Sequence, residues 1–146
     1  MKKLVRDWSI ISILLVAAIT IFLNIRVVVV MGNSMEPTFK NHQLLIASTD
    51  TANLNINDIV VFQRSNDVSI KRIIAMAGSQ ISLRDSSVYI DGILISGLES
   101  ENSAVIEYTL ANDEFFVIGD NAQVSLDSRN YGPIKQNQII GKILFS

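Results

Sequence analysis

Two kinds of hydrophobic pattern divide the chain, and the change falls near residue 26. From Trp8 to Ile25, "WSIISILLVAAITIFLNI", 18 residues pass without a charge. A helix of that length rises about 27 Å, close to the ~30 Å of a bilayer core. Ser9, Ser12 and Thr20 are compatible with such a helix, because their hydroxyls bond back to helix carbonyls. Trp8 stands where an interfacial aromatic belongs. The pattern predicts a transmembrane anchor over residues 8–25. A cleaved signal peptide fits less well. The apolar run is long, no A-x-A-like site follows it, and Ala17 and Ala18 lie inside it.

Beyond Arg26 the apolar residues alternate instead. "HQLLIAS", "NDIVVFQ", "VSIKRIIAM", "QISLRD", "SVYIDGILIS", "AVIEYTL" and "EFFVIGD" are short, β-branched and bounded by Asn, Asp, Ser or Gly. Asp91-Gly92 inside "YIDGILI" is a two-residue hairpin signal. No segment after residue 30 keeps a 3.6-residue apolar period over three turns. The predicted fold class is mainly β: one N-terminal transmembrane helix, then a compact all-β domain over residues 27–146. Residues 97–113 are the most polar stretch and read as a surface loop with one strand. The 40 residues from Ser79 to Ile118 leave little room for a second β-domain.

Charge orients this arrangement. Lys2, Lys3, Arg6 and Asp7 give the tail, residues 1–7, a net +2 and place it in the cytoplasm, with the body outside. From Val27 onward eight lysines and arginines face thirteen aspartates and glutamates, a net of −5. An acidic body argues against a nucleic-acid partner. With no cysteine, a disulfide framework, a thiolate metal site and a cysteine nucleophile are all excluded.

Three polar clusters could carry chemistry. "GNSMEPTF" holds Ser34 just after the oily run. The one histidine, His42, sits in polar "KNHQ" and reads as a surface loop residue; with no cysteine beside it, no metal site is expected. A serine nucleophile would then need a lysine base. Lys71 lies in the apolar strand "VSIKRIIAM", sharing a face with Ser69 and Ile73 by alternation. Desolvation there would lower its pKa and let it accept a proton. A solvated strand edge, or half of an ion pair, is the other reading of Lys71-Arg72. The third cluster, "GDNAQVSLDSRNYG", is either an ordinary Asx-turn loop or a polar shell that positions an amine.

Taken together, these clusters resemble the type I signal peptidases, membrane-anchored Ser/Lys endoproteases. "SMEPTF" resembles the nucleophile box, "NDIVVF" the strand box, "KRIIAMAG" the lysine box and "GDNAQVSLDSR" the last box. All four occur in the family's order behind an anchor, as in small Gram-positive members. The resemblance implies Ser34 as nucleophile and Lys71 as general base. It implies Ser125 as the hydrogen-bond partner orienting the lysine amine. Asp127 and Arg129 would form a supporting salt bridge, with Asp120, Asn121 and Ser128 shaping the loop. The oxyanion region would use the Ser34 N–H and a main-chain donor at Gly32, where some members carry a hydroxyl. Val30, Met31, Met35, Phe39, Ser69 and Ile70 would line shallow pockets for small residues at −1 and −3 of an extended substrate. Three departures stand out: Ala122 replaces a common Arg, "AMAGSQ" replaces Leu-Pro-Gly-Asp, and Asn57 replaces Gly before Asp58.

The implied activity is removal of N-terminal signal peptides from exported preproteins at the cell membrane, without cofactor or metal. Its partners are signal peptides and the lipid bilayer, and the protein is single-pass with its catalytic domain extracytoplasmic. The alternatives are a catalytically silent or specialised relative acting in surface-protein assembly, and a self-cleaving SOS repressor, which has a Ser/Lys dyad but no anchor.

Overall fold

The computed structural model describes residues 2–99 and 105–145. Its first element, α1 (Lys2–Leu23), is one helix that takes in most of the basic tail as well as the apolar run. It stops short of the predicted limit at Ile25. That residue already pairs with Ser48 as the first of strand β1 (Ile25–Val29). Among the described residues no helix is long and apolar enough to cross a membrane. Several α1 side chains, Ala17, Ala18, Ile21 and Phe22 among them, lie outside the described set.

The body is mainly β, as the alternation predicts. β2 (Leu44–Ser48), β3 (Ile59–Arg64), β4 (Asp67–Ala75) and β9 (Glu114–Ile118) fall inside or within a residue or two of the alternating segments. With β10 (Ile134–Lys135) and β11 (Ile139–Phe145) they form an antiparallel sheet in the order β1-β2-β11-β3-β4-β9-β10. The segment expected to hold strands but to leave little room for a second β-domain builds a second, four-stranded sheet. It comprises β5 (Gln80–Arg84), β6 (Ser87–Ile90), β7 (Ile93–Glu99) and β8 (Ile106–Thr109), in the order β7-β6-β5-β8. Short strands and tight turns make this possible. Asp91 and Gly92, at φ 52° and 78°, turn β6 into β7 as their sequence predicts. Within 97–113, read as a loop with one strand, β8 is a strand and β7 runs in as far as Glu99, while residues 100–104 lie outside the described residues.

Three apolar clusters hold the sheets. Val60 and Phe62 of β3 pack with Ile73, Phe115 and Val117, while Val61 packs with Val30, Met35, Phe39 and Ile70. The strand is thus covered on both faces, which is why "IVVF" is continuous rather than alternating. The small sheet joins through Ile81, Leu83 and Val88 against Ala75, Phe116 and Ile118. β1 and β4 are separated by three strands in the sheet order, yet both line one groove, so the sheet curls.

Candidate active site

Ser34 lies in a run of turns after β1, and this loop is closed by local main-chain chemistry. Val30 N–H donates to Gln43 O at 2.9 Å, and His42 N–H donates to Val30 O at 2.8 Å. Pro37 follows a cis peptide bond. Lys71 lies in β4 and is 4% exposed. The chain fold brings its Nζ to 2.8 Å from Ser34 Oγ, across 37 residues of sequence. Burial holds the Lys71 pKa below the ordinary lysine value, against the opposing pull of Asp127 and Asp120. A buried amine with a lowered pKa, next to a hydroxyl, has the geometry of a general base and nucleophile.

Two carboxylates near this amine are each held by an arginine. Arg72, next to the lysine, grips Asp120 with Nε at 2.8 Å and Nη2 at 2.6 Å. Thr38, in the Ser34 loop, donates its hydroxyl to Asp120 at 2.5 Å. Burial would raise the Asp120 pKa; the bonds from Arg72 and Thr38 outweigh it and hold the group below its usual value. Asp127 is fully buried and accepts from Arg129 at 2.8 and 2.9 Å and from Gly119 N–H at 3.0 Å. It also caps the short helix α2 (Ser128–Tyr131), in a capping box with Asn130. Ser128 accepts from Val117 N–H at 2.9 Å, which ties α2 to β9. Asn121 holds the Ser34 loop directly. Its N–H donates to Ser34 O at 3.0 Å and its Nδ2 to Asn33 O at 3.2 Å.

Three expectations need correction. The anticipated bond from Ser125 to the lysine amine is absent. Ser125 Oγ is buried with no hydrogen-bond partner among the described residues, while Lys71 Nζ is engaged by Ser34. Gly32 does not offer a free oxyanion donor, because its N–H donates to Asn41 Oδ1 at 2.9 Å. Phe39 packs in the core with Val30, Met35 and Ile70 rather than lining the groove. The other predicted pocket residues do line it. Val28–Met31 form one wall and Val68–Lys71 the other of a groove of about 160 Å³, with Ser34 and Met35 between them. Larger depressions of about 410 and 490 Å³ contain neither Ser34 nor Lys71. An extended peptide needs a narrow slot, so size does not identify the site here.

Sequence reasoning missed Thr38, Arg72 as the partner of Asp120, and above all Gly119. A Cβ on Gly119 would lie 2.2 Å from Ser125 Oγ and 2.5 Å from Ser34 O. Its signal is the "GD" that opens the last cluster. Asn57, standing where the resemblance leads one to expect glycine, adopts φ 76°, a conformation Asn tolerates better than most residues.

Comparison with known proteins fits this geometry. The family model described as signal peptidase, peptidase S26, matches residues 2–146. Signal peptidase IB of Staphylococcus aureus (strain COL) is 30% identical over 174 aligned residues, covering 99% of this chain and 90% of the relative. A protein of S. aureus (strain Mu50 / ATCC 700699) described as inactive signal peptidase IA is 28% identical, covering 98% and 91%. Among solved structures, a signal peptidase I from Enterococcus faecalis V583 matches with 25% identity and a TM-score of 0.48, covering 63% of this chain and 97% of that one. The chain belongs to the signal peptidase family, peptidase S26, and is a hydrolase of the serine peptidase class.

Proposed function

We propose that this protein is a membrane-anchored endopeptidase that removes signal peptides from exported preproteins, with Ser34 as nucleophile and Lys71 as general base. The observation that carries the reading is the 2.8 Å approach of Ser34 Oγ to a buried lysine amine. Neutral Lys71 takes the Ser34 proton as Oγ attacks the scissile carbonyl. The Ser34 N–H has no hydrogen-bond partner among the described residues and is available to the developing oxyanion. Lys71 then gives its proton to the departing amine, leaving an acyl-enzyme that water hydrolyses with Lys71 again as base. Ser125, with its unpaired buried hydroxyl, is the residue that takes up the lysine amine when Oγ becomes acylated. Asp120, Asn121, Asp127, Ser128 and Arg129 hold the loop around this pair.

The substrate adds as a strand. On one wall, β4 pairs with β3 along Asp67–Arg72 and meets β9 only from Arg72 onward, so its first half has a free edge. On the other wall, β1 ends the sheet. A peptide between them points −1 and −3 to one side and −2 away. Val30, Met31, Met35, Ser69 and Ile70 leave only a shallow groove, which favours small side chains at −1 and −3.

The anchor is α1. Its 22 residues span about 33 Å, and its described apolar side chains, Ile10 to Val16 and Ile19 among them, are exposed with no protein to cover them. Val27, Val29 and Met31 continue that apolar surface toward Ser34, as do Leu44 and Ile46 beside them. Incubation with a labelled preprotein tests the reading. Cleavage by the wild type should fall by at least ~10³-fold in Ser34→Ala and in Lys71→Met. Wild-type protein that leaves the preprotein intact would favour a silent relative; cleavage surviving either substitution would dismiss the dyad.

A further inference from the structure

The chain between Val30 and Ser34 is held unevenly. Val30 spends both main-chain groups on the turn that follows the Ser34 loop. Its N–H donates to Gln43 O at 2.9 Å, and its C=O accepts from His42 N–H at 2.8 Å. Asn33 and Ser34 are held through their carbonyls, by Asn121 Nδ2 at 3.2 Å and Asn121 N–H at 3.0 Å. Between these fixed points Met31 and Gly32 make one hydrogen bond to the described residues, from Gly32 N–H to Asn41 Oδ1 at 2.9 Å. Packing does not replace it. Gly32 is exposed, at φ 89°, and a Cβ there would meet nothing within 4 Å. With no side chain to favour one backbone basin, this glycine is fixed by its bond to Asn41. Asn41 is itself presented by a closed turn. Gln43 N–H donates to Lys40 O at 3.1 Å, Lys40 N–H donates to Gln43 Oε1 at 2.9 Å, and His42 sits at φ 66°.

We propose that Asn41 is a positioning residue for the substrate strand: by holding Gly32 it keeps the free N–H and C=O of Met31 turned into the groove, where they pair with substrate main chain on the acyl side of the scissile bond. The inference rests on the reading of Ser34 as the nucleophile and of the groove as the place where a strand is added. Neighbouring residues of an extended chain aim their main-chain groups at opposite edges. Val30 aims its pair at the turn, so Met31 aims its pair the other way, on the side of the groove that it lines. Neither Met31 group has a partner among the described residues. An open donor and acceptor on an edge are what an added strand needs. Without the Asn41 bond, Gly32 is free to leave its positive φ, and the Met31–Gly32 peptide turns with it. Asn41 does not line the groove and bonds to neither Ser34 nor Lys71, so it acts through Gly32.

The test uses the full chain in detergent micelles and two peptides with one cleavage site, Ala at −1 in both. The long peptide has five residues before the scissile bond, with Ala also at −3; the short one has a single residue there. Asn41→Ala should lower kcat/KM on the long peptide about tenfold, as expected for one or two lost main-chain hydrogen bonds. The loss should lie in KM, and the short peptide should stay within about threefold of wild type. Asn41→Asp keeps the acceptor oxygen and should stay within about threefold on both peptides. Affinity supplies a readout that needs no turnover. The Kd of the long peptide for the Ser34→Ala protein should weaken about tenfold when Asn41→Ala is added. An unchanged Kd, equal losses on both peptides, or an Asn41→Asp enzyme as impaired as Asn41→Ala would each overturn the proposal. If Asn41→Ala does not fold, Asn41→Ser, whose hydroxyl falls short of Gly32, decides by the same criteria. Failure of the underlying reading looks different: Ser34→Ala would still cleave the long peptide, and the Kd comparison would still decide on Asn41.

Discussion

Replacing Gly119 by alanine should disable the enzyme without removing any group that does chemistry. Gly119 is not at positive φ, so the constraint is space and not backbone conformation. The added Cβ would meet Ser125 Oγ at 2.2 Å, Ser34 O at 2.5 Å and Ser125 Cβ at 2.6 Å, where ordinary contact begins at 3.4 Å. The overlap is about 1 Å. A hydroxyl can rotate aside, but Ser34 O and Ser125 Cβ move only with their main chains. The Ser34 carbonyl is also held by Asn121 N–H at 3.0 Å. Relief therefore displaces either the Ser34 peptide or the Ser125 segment.

Overpacking of this kind costs about 1–3 kcal/mol. For a body of this size, each kcal/mol lowers Tm by roughly 4 °C. A displacement of ~1 Å at a reacting group costs about 10²-fold in rate. Initial rates on a preprotein in detergent, with thermal unfolding followed in parallel, measure both. Gly141→Ala is the internal control. Its Cβ would lie 3.1 Å from Ser48 O and 3.3 Å from Ala47 Cβ, far from Ser34, so only a few tenths of an ångström must be found. Its activity should stay within about threefold of wild type. A Gly119→Ala enzyme with full rate would refute the claim that this glycine fixes Ser34. So would one that is destabilised yet as active per folded molecule as wild type.

Two further outcomes follow from the charges around Lys71. Arg72→Met leaves Asp120, largely buried, with Thr38 alone and exposes Lys71 to an uncompensated carboxylate. That favours the protonated amine, so the acid limb of the pH–rate profile should move to higher pH, with a stability loss of about 1–2 kcal/mol after allowing for partial exposure; an unmoved limb, or one at lower pH, would refute the assignment. Lys71→Met should raise stability at neutral pH. The folded pKa lies below the unfolded value of 10.5, so the unfolded chain binds more protons between the two, and the wild-type penalty is full below the folded pKa and fades as pH rises to 10.5. The Tm difference between Lys71→Met and wild type should thus be positive near neutrality and shrink toward pH 10.5. A difference that grows with pH would contradict a depressed lysine.

What the sequence revealed divides along the range of the interactions. Alternation within five residues predicts β2 to β9, because it reports which face of a strand meets the core. It fails for β1 and β11. Along β1, Val27 and Val29 are exposed and apolar together, so no polar face marks the strand. β11 carries Gly141 and Lys142 in mid-strand, residues that weaken a local reading. Tertiary contacts explain both. A Cβ at Gly141 would crowd the Ser48 carbonyl at 3.1 Å, and Lys142 pairs with Asp58 at 2.8 Å, which seats β11 between β2 and β3. The Ser34–Lys71 approach is likewise nonlocal, and local pattern alone leaves Lys71 as well suited to a surface ion pair. The pair came into view only through the order of four clusters. The structure adds what order could not convey. The ion pair belongs to the next residue, Arg72, and it draws off the charge of Asp120 beside the lysine. Arg129 does the same for Asp127. Burial thus holds the Lys71 pKa below its ordinary value although two carboxylates stand near it, each of them paired with an arginine.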